Sequence, residues 1–158
     1  MLARQLALRY RVPLLGKDLI KEPLLNVLGA GSAAQSRLLS DASFAVLFAI
    51  ARELFAVNFD LILEGNFRPG EHEQALAALG GARMAQVLCR LDEATRVVRL
   101  GERKERRHAG HWDANPAVVL QRSSDAFLEL PGERLAFDCG KSNATHQIDA
   151  IDRWWRQS

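Results

Sequence analysis

Glu64, Gly65 and Asn66 follow a short apolar run, Leu61-Ile62-Leu63, so a carboxylate and an amide stand at the end of what reads as a buried strand. In open α/β sheets the carboxyl ends of the strands are where ligands bind. The pair would position a bound molecule, or would simply be the solvated end of a strand. Asp18 and Lys17 stand in the polar break after a second extended piece, Val12-Pro13-Leu14-Leu15. A carboxylate there can accept a proton if a hydroxyl reaches it, or it can cap the helix that follows. Lys17 can orient an anion or be solvated. Arg96, Arg99, Arg103, Lys104, Arg106 and Arg107 crowd a stretch whose acids are Glu102 and Glu105. Arg99 and Arg103 are four residues apart and share one helix face. Such a cluster can stabilise phosphate charge, neutralise nucleic-acid phosphates or be an exposed charged helix. No stacking aromatic or recognition motif accompanies it, which weighs against nucleic acid. His108, His111 and Cys139 suggest zinc only weakly. No second cysteine pair completes a site, so no metal is expected there.

The elements that must position these residues alternate between helix and strand. The 158 residues, 48% hydrophobic and 25% charged with a net charge of +2, suit one soluble domain. That charge is too mild to imply a nucleic-acid partner by itself. Residues 1–9 read as a helix, and Pro13 confines the next extended piece to a sheet edge. Asp18 is expected to cap a helix over 19–28, which Pro23 bends or restarts. Ser40 or Asp41 is expected to cap a second helix running to about Val57. From Phe44 onward this helix is apolar nearly all round, and so is expected to be deeply packed. Arg68-Pro69-Gly70 turns the chain into an acidic-led helix over 71–79, which ends at Gly80-Gly81. A strand over 83–91 leads to a basic helix from Glu93 to about Arg107, capped by Asp92. A loop over 108–113, a weak helix over 117–122, a strand over 133–138 and a last helix carrying Ile148, Ile151 and Trp155 complete the chain. Cys89 and Cys139 are expected to be reduced core thiols, in keeping with a cytoplasmic protein. No apolar run is long enough for a membrane span, and no signal peptide is evident.

In order and spacing these pieces resemble P-loop small-molecule kinases of the zeta-toxin and chloramphenicol-phosphotransferase type, which belong among AAA-domain ATP-binding proteins. Four stretches carry the resemblance: 2–7, 12–21, 61–67 and the arginine-rich 99–111. It implies a three-layer α/β/α domain over residues 1–158 with a mostly parallel sheet. It also implies phosphoryl transfer from ATP, with Mg²⁺, to a hydroxyl of a small acceptor. By that resemblance Asp18 is the base, and Arg99, Arg103 and Arg107 form a lid over the transferring phosphate. Lys17, Glu64, Asn66 and Arg68 contact the acceptor or a metal-bound water.

In that family the first helix follows a G-x-x-x-x-G-K-[S/T] loop, whose backbone N–H groups cradle the phosphates. Here Met1 stands about where the loop should end, and the loop, with the strand before it, is missing. Gly140-Lys141-Ser142 has the last three letters, but Leu135 stands where the first glycine must be. The chain is therefore expected to be an impaired or inactive kinase. The alternatives are a non-catalytic interaction protein on a kinase scaffold and a basic-helix nucleic-acid binder. The resemblance puts the missing strand between those at Leu61 and Val87. Either that gap is open, exposing sheet edges through which copies of the chain associate, or the two strands have closed it.

Overall fold

A computed structural model describes residues 2–81, 83–104, 111, 126–140 and 144–157. Helix α1 spans Leu2–Tyr10, strand β1 Leu14–Gly16, helix α2 Lys17–Leu28 and helix α3 Ala33–Ala56. Strand β2 is Ile62–Glu64, α4 is the short helix Glu73–Ala77, β3 is Ala85–Arg90 and α5 is Glu93–Lys104. Strand β4, Glu133–Asp138, precedes helix α6, Ala144–Gln157.

The strands form two parallel pairs. β1 lies beside β2 with Leu14 opposite Ile62 and Gly16 opposite Glu64. β3 lies beside β4 with Ala85 opposite Glu133 and Arg90 opposite Asp138. Parallel neighbours need long crossovers, and α2 with α3 supplies the one between β1 and β2. Among the described residues no ladder joins β2 to β3, so these two strands have not closed on each other.

Local chemistry explains the helix limits and corrects several expectations. α2 begins at Lys17, one residue before Asp18, which therefore sits in the first turn and is not the cap. The helix continues through Pro23 to Leu28. α3 begins seven residues before the expected Ser40 cap. Ser32 Oγ accepts the Gln35 amide N–H at 3.2 Å, while Gln35 Oε1 accepts the Gly31 N–H at 2.7 Å. Ser32 thus satisfies one of the donors that a helix start leaves unpaired, and Gln35 reaches back to the residue before the cap. Asp92 does cap α5, its carboxylate taking the Thr95 N–H at 2.8 Å. The expected acidic-led helix over 71–79 is reduced to α4. The segments 105–110 and 112–125, with the expected loop and weak helix, lie outside the described residues.

α3 is packed on one side only. Phe44, Leu47 and Ala51 are buried, whereas Val46, Ile50 and Val57 are exposed. A helix with an apolar surface all round had suggested burial on every side, but α2 covers a single face of it. Fully burying a side chain such as Leu47 is worth about 2–3 kcal/mol. A second cluster, Leu76, Leu128 and Leu130, takes Leu63 of β2 and Met84 before β3 against it, tying the two strand pairs together. The thiols are free, but Cys89 is exposed, not in the core. None of the described helices is long and apolar enough to cross a membrane.

Candidate functional site

Because β1 and β2 are parallel, their carboxyl ends open on the same side, and a cleft of about 110 Å³ lies there. α2 contributes Lys17 and Lys21, one helical turn apart, to its lining. α3 contributes Ser36, Arg37, Ser40, Asp41 and Phe44, and the loop after β2 brings Asn66, Arg68, Glu71 and His72. Gly65 lets that loop enter: a Cβ on it would meet Phe44 Cε1 at 3.2 Å and Lys17 Cβ at 3.3 Å.

Two ammonium groups form the floor. Lys21 is 2% exposed and donates from Nζ to Ser36 Oγ at 3.0 Å. Lys17 is 7% exposed, and its Nζ lies 2.7 Å from the Asp18 carboxylate, which is half-exposed. A buried ammonium is costly unless partners of this kind compensate for lost water. Arg68 rests loosely on Glu71 at 3.4 Å.

The wall is aromatic. The His72 ring lies 4.2 Å from that of Phe44 and 5.7 Å from that of Phe67. The Arg68 amide N–H donates to His72 Nδ1 at 3.0 Å. Nδ1 is therefore an acceptor, and the ring proton sits on Nε2.

Of the residues singled out in the sequence, Lys17, Asn66 and Arg68 line this cleft, with Asp18 adjoining it through Lys17. Glu64 ends β2 opposite Gly16 and is not part of the lining. Arg99 is elsewhere, donating to the Cys139 carbonyl at 3.3 Å beside the end of β4. Arg103 belongs to α5, but its side chain, like all of Arg107, lies outside the described residues. His111 Nε2 faces Glu22 at 3.5 Å, while His108 lies outside the described residues. Sequence reasoning missed Lys21, Ser36, Arg37 and His72. The i, i+4 spacings of Lys17 with Lys21 and Ser36 with Ser40 were the available signals.

The Gly140 amide, in the one stretch that ends like a phosphate loop, is bonded to Asp138 Oδ1 at 2.9 Å. Among the described residues no group of three or more His, Cys, Asp or Glu is arranged to hold a metal.

The chain shares the fold of a crystal structure described as "a putative kinase" from Chloroflexus aurantiacus j-10-fl. The TM-score is 0.84 at 24% identity, over 96% of this chain and 89% of that one. No protein-family model and no curated protein sequence matches the chain. The likeness shows the fold: a mixed α/β chain with parallel strands, shared with that structure.

Proposed function

We propose that the cleft seats the hydroxyl acceptor of an ATP-dependent phosphoryl transfer, in a three-layer P-loop-type kinase domain resembling the zeta-toxin group. The observation that carries this reading is the cation-floored cleft at the carboxyl ends of β1 and β2, on a fold shared with a kinase-like structure. Position supports the following roles. Lys17 holds Asp18 by their 2.7 Å ion pair at the rim of the cleft, where its carboxylate accepts the proton of an acceptor hydroxyl. Asn66 and Arg68 orient the acceptor, and His72 offers Nε2–H to it. Phe44 excludes water from one side. ATP with Mg²⁺ would supply the phosphoryl group, with α5 arginines as a lid. The 158 residues contain no G-x-x-x-x-G-K-[S/T], so nucleotide is held weakly and turnover is low.

The test is ATP·Mg²⁺ calorimetry on the 158-residue chain, followed by ³¹P NMR with a panel of small hydroxyl compounds at high protein concentration. The expected results are an ATP Kd of about 1 mM or weaker and slow formation of a phosphate ester. Asp18→Asn should lower that rate by about 10²-fold or more without weakening acceptor binding. ATP binding near 1 μM would contradict the weak hold. No ester from any compound that binds the cleft would sink the kinase reading.

The same result would favour a non-catalytic interaction protein, a reading supported by the exposed Val27 and Leu28 on α2 and Leu38, Val46 and Ile50 on α3. Self-association belongs with it, through the β2 and β3 edges that no ladder joins among the described residues. Nucleic acid is less favoured, because Arg96 and Arg99 each direct a guanidinium N–H to a backbone carbonyl.

A further inference from the structure

We infer that the molecule taken by the cleft carries its own anionic group, a phosphate or carboxylate, besides the hydroxyl that reacts. This rests on the reading of the cleft as an acceptor site and adds the substrate class. Among the described residues, Lys17, Lys21, Arg37 and Arg68 line the cleft with Asp41 and Glu71, and Asp18 pairs with Lys17 at its edge, leaving one positive charge in excess. Both lysines are at least nine-tenths buried, on the solvent-poor floor where a charge acts most strongly. A neutral polyol would draw only ordinary hydrogen bonds from these cations. An anion instead receives charge-assisted bonds from Lys21 and from the guanidinium groups of Arg37 and Arg68 on the facing sides.

Position divides the work. Asp18 adjoins the Lys17 side of the cleft, while Arg37 comes from α3 on the opposite helix. The anionic end therefore lies toward Lys21 and Arg37, and the hydroxyl lies toward Asp18. A volume of about 110 Å³ is well below the roughly 300–1,000 Å³ of pockets that enclose drug-sized ligands. The part of the acceptor seated here is thus the size of a small hydroxy acid or the phosphate ester of a short polyol.

The test titrates glycerol, glycerate, glycerol 3-phosphate and inorganic phosphate into the nucleotide-free 158-residue chain, with amide NMR as the readout. Glycerate or glycerol 3-phosphate should bind and shift amides over 17–21, 36–41 and 66–72, glycerol should not, and added salt should weaken the binding. Arg37→Gln, at an exposed position that leaves packing intact, should lower the affinity about tenfold, as should Arg68→Gln. Glycerol binding as well as its anionic relatives, or indifference to both substitutions, would overturn the inference. So would inorganic phosphate or ATP binding in the cleft more tightly than any anionic alcohol. Binding of glycerate or glycerol 3-phosphate without any phosphoryl transfer from ATP would end the kinase reading and leave the anion cleft standing. Phosphorylation of glycerol alone would do the reverse.

Discussion

The cleft draws its polar side chains from two kinds of place, strand ends for Lys17, Asn66 and Arg68 and helix interiors for Lys21, Ser36 and Arg37. Lys17, Asn66 and Arg68 sit just beyond β1 and β2, and an apolar run followed by polar residues marks such places without any three-dimensional information. Lys21, Ser36 and Arg37 lie within α2 and α3, where charged and small polar residues normally signal a solvated face. Only the packing of α2 on α3 turns that face into a cleft wall. His72 was hidden for another reason: its place depends on the rings of Phe44 and Phe67, one of them from a distant helix. Gly132 provides a prediction at this scale. Its φ of +115° lies outside the range L side chains favour, and an added Cβ would collide with the Met84 carbonyl oxygen. That same oxygen accepts the Glu133 N–H at 3.0 Å, so it cannot withdraw without loosening the start of the β3–β4 ladder. Gly132→Ala should therefore destabilise the fold by about 2–4 kcal/mol. Chemical denaturation would read this as a lower midpoint with an unchanged slope.

At the scale of elements, existence was easier to read than limits. β4 and α6 follow from their spacing alone, whereas the start of α3 was misplaced. The sequence Ser32-Ala33-Ala34-Gln35 carries the reciprocal capping pattern, but Ser40 and Asp41 stand nearer the apolar residues and drew the boundary to themselves. The partnership between α1 and α6 has no sequence signal, because its residues are some 140 positions apart. Arg9 reaches Asp149 at 2.7 Å and Asp152 at 3.0 Å, and the Tyr10 hydroxyl donates to Asp152 at 2.8 Å. The Tyr10 bond, with Arg156 and Arg9 beside it, holds the Asp152 carboxyl below its ordinary range. Burial, aided by Asp152, pushes the Tyr10 hydroxyl up to about 12. A depressed carboxyl contributes stability that is present above its unfolded value, about 3.9, and lost as pH falls further. A raised phenol contributes below its unfolded value, about 10, and that contribution is lost as pH rises through 12. Denaturation midpoints followed by tryptophan fluorescence should therefore be level from about pH 5 to 9 and fall on both sides. Asp152→Asn should lower the plateau and flatten the acid limb.

The whole molecule consists of two parallel strand pairs held by helices rather than one continuous sheet among the described residues. Helix and strand alternation made the parallel class readable, since each pair encloses at least one helical crossover. The separation of β2 from β3 was not readable, because pairing is decided by which edges meet in space. A two-stranded sheet is marginal by itself, so each pair depends on what it packs against. For β1 and β2 that support comes from α1, α2 and α3, and along α3 Ser43, Leu47 and Ala51 are fully buried. Ser43 is further tied by its hydroxyl to the Leu39 carbonyl at 2.6 Å. β3 and β4 have mostly exposed or half-buried residues and meet the rest through Leu76, Leu128, Leu130 and Met84. Backbone amides exchange with deuterium through openings whose cost follows this support. The slowest protons should belong to the middle of α3, at the rate of global unfolding, with those of β3 and β4 released earlier through partial opening. Equal protection in both strand pairs would mean that they open as one unit. With graded protection, the cleft keeps its walls while the far pair opens and closes.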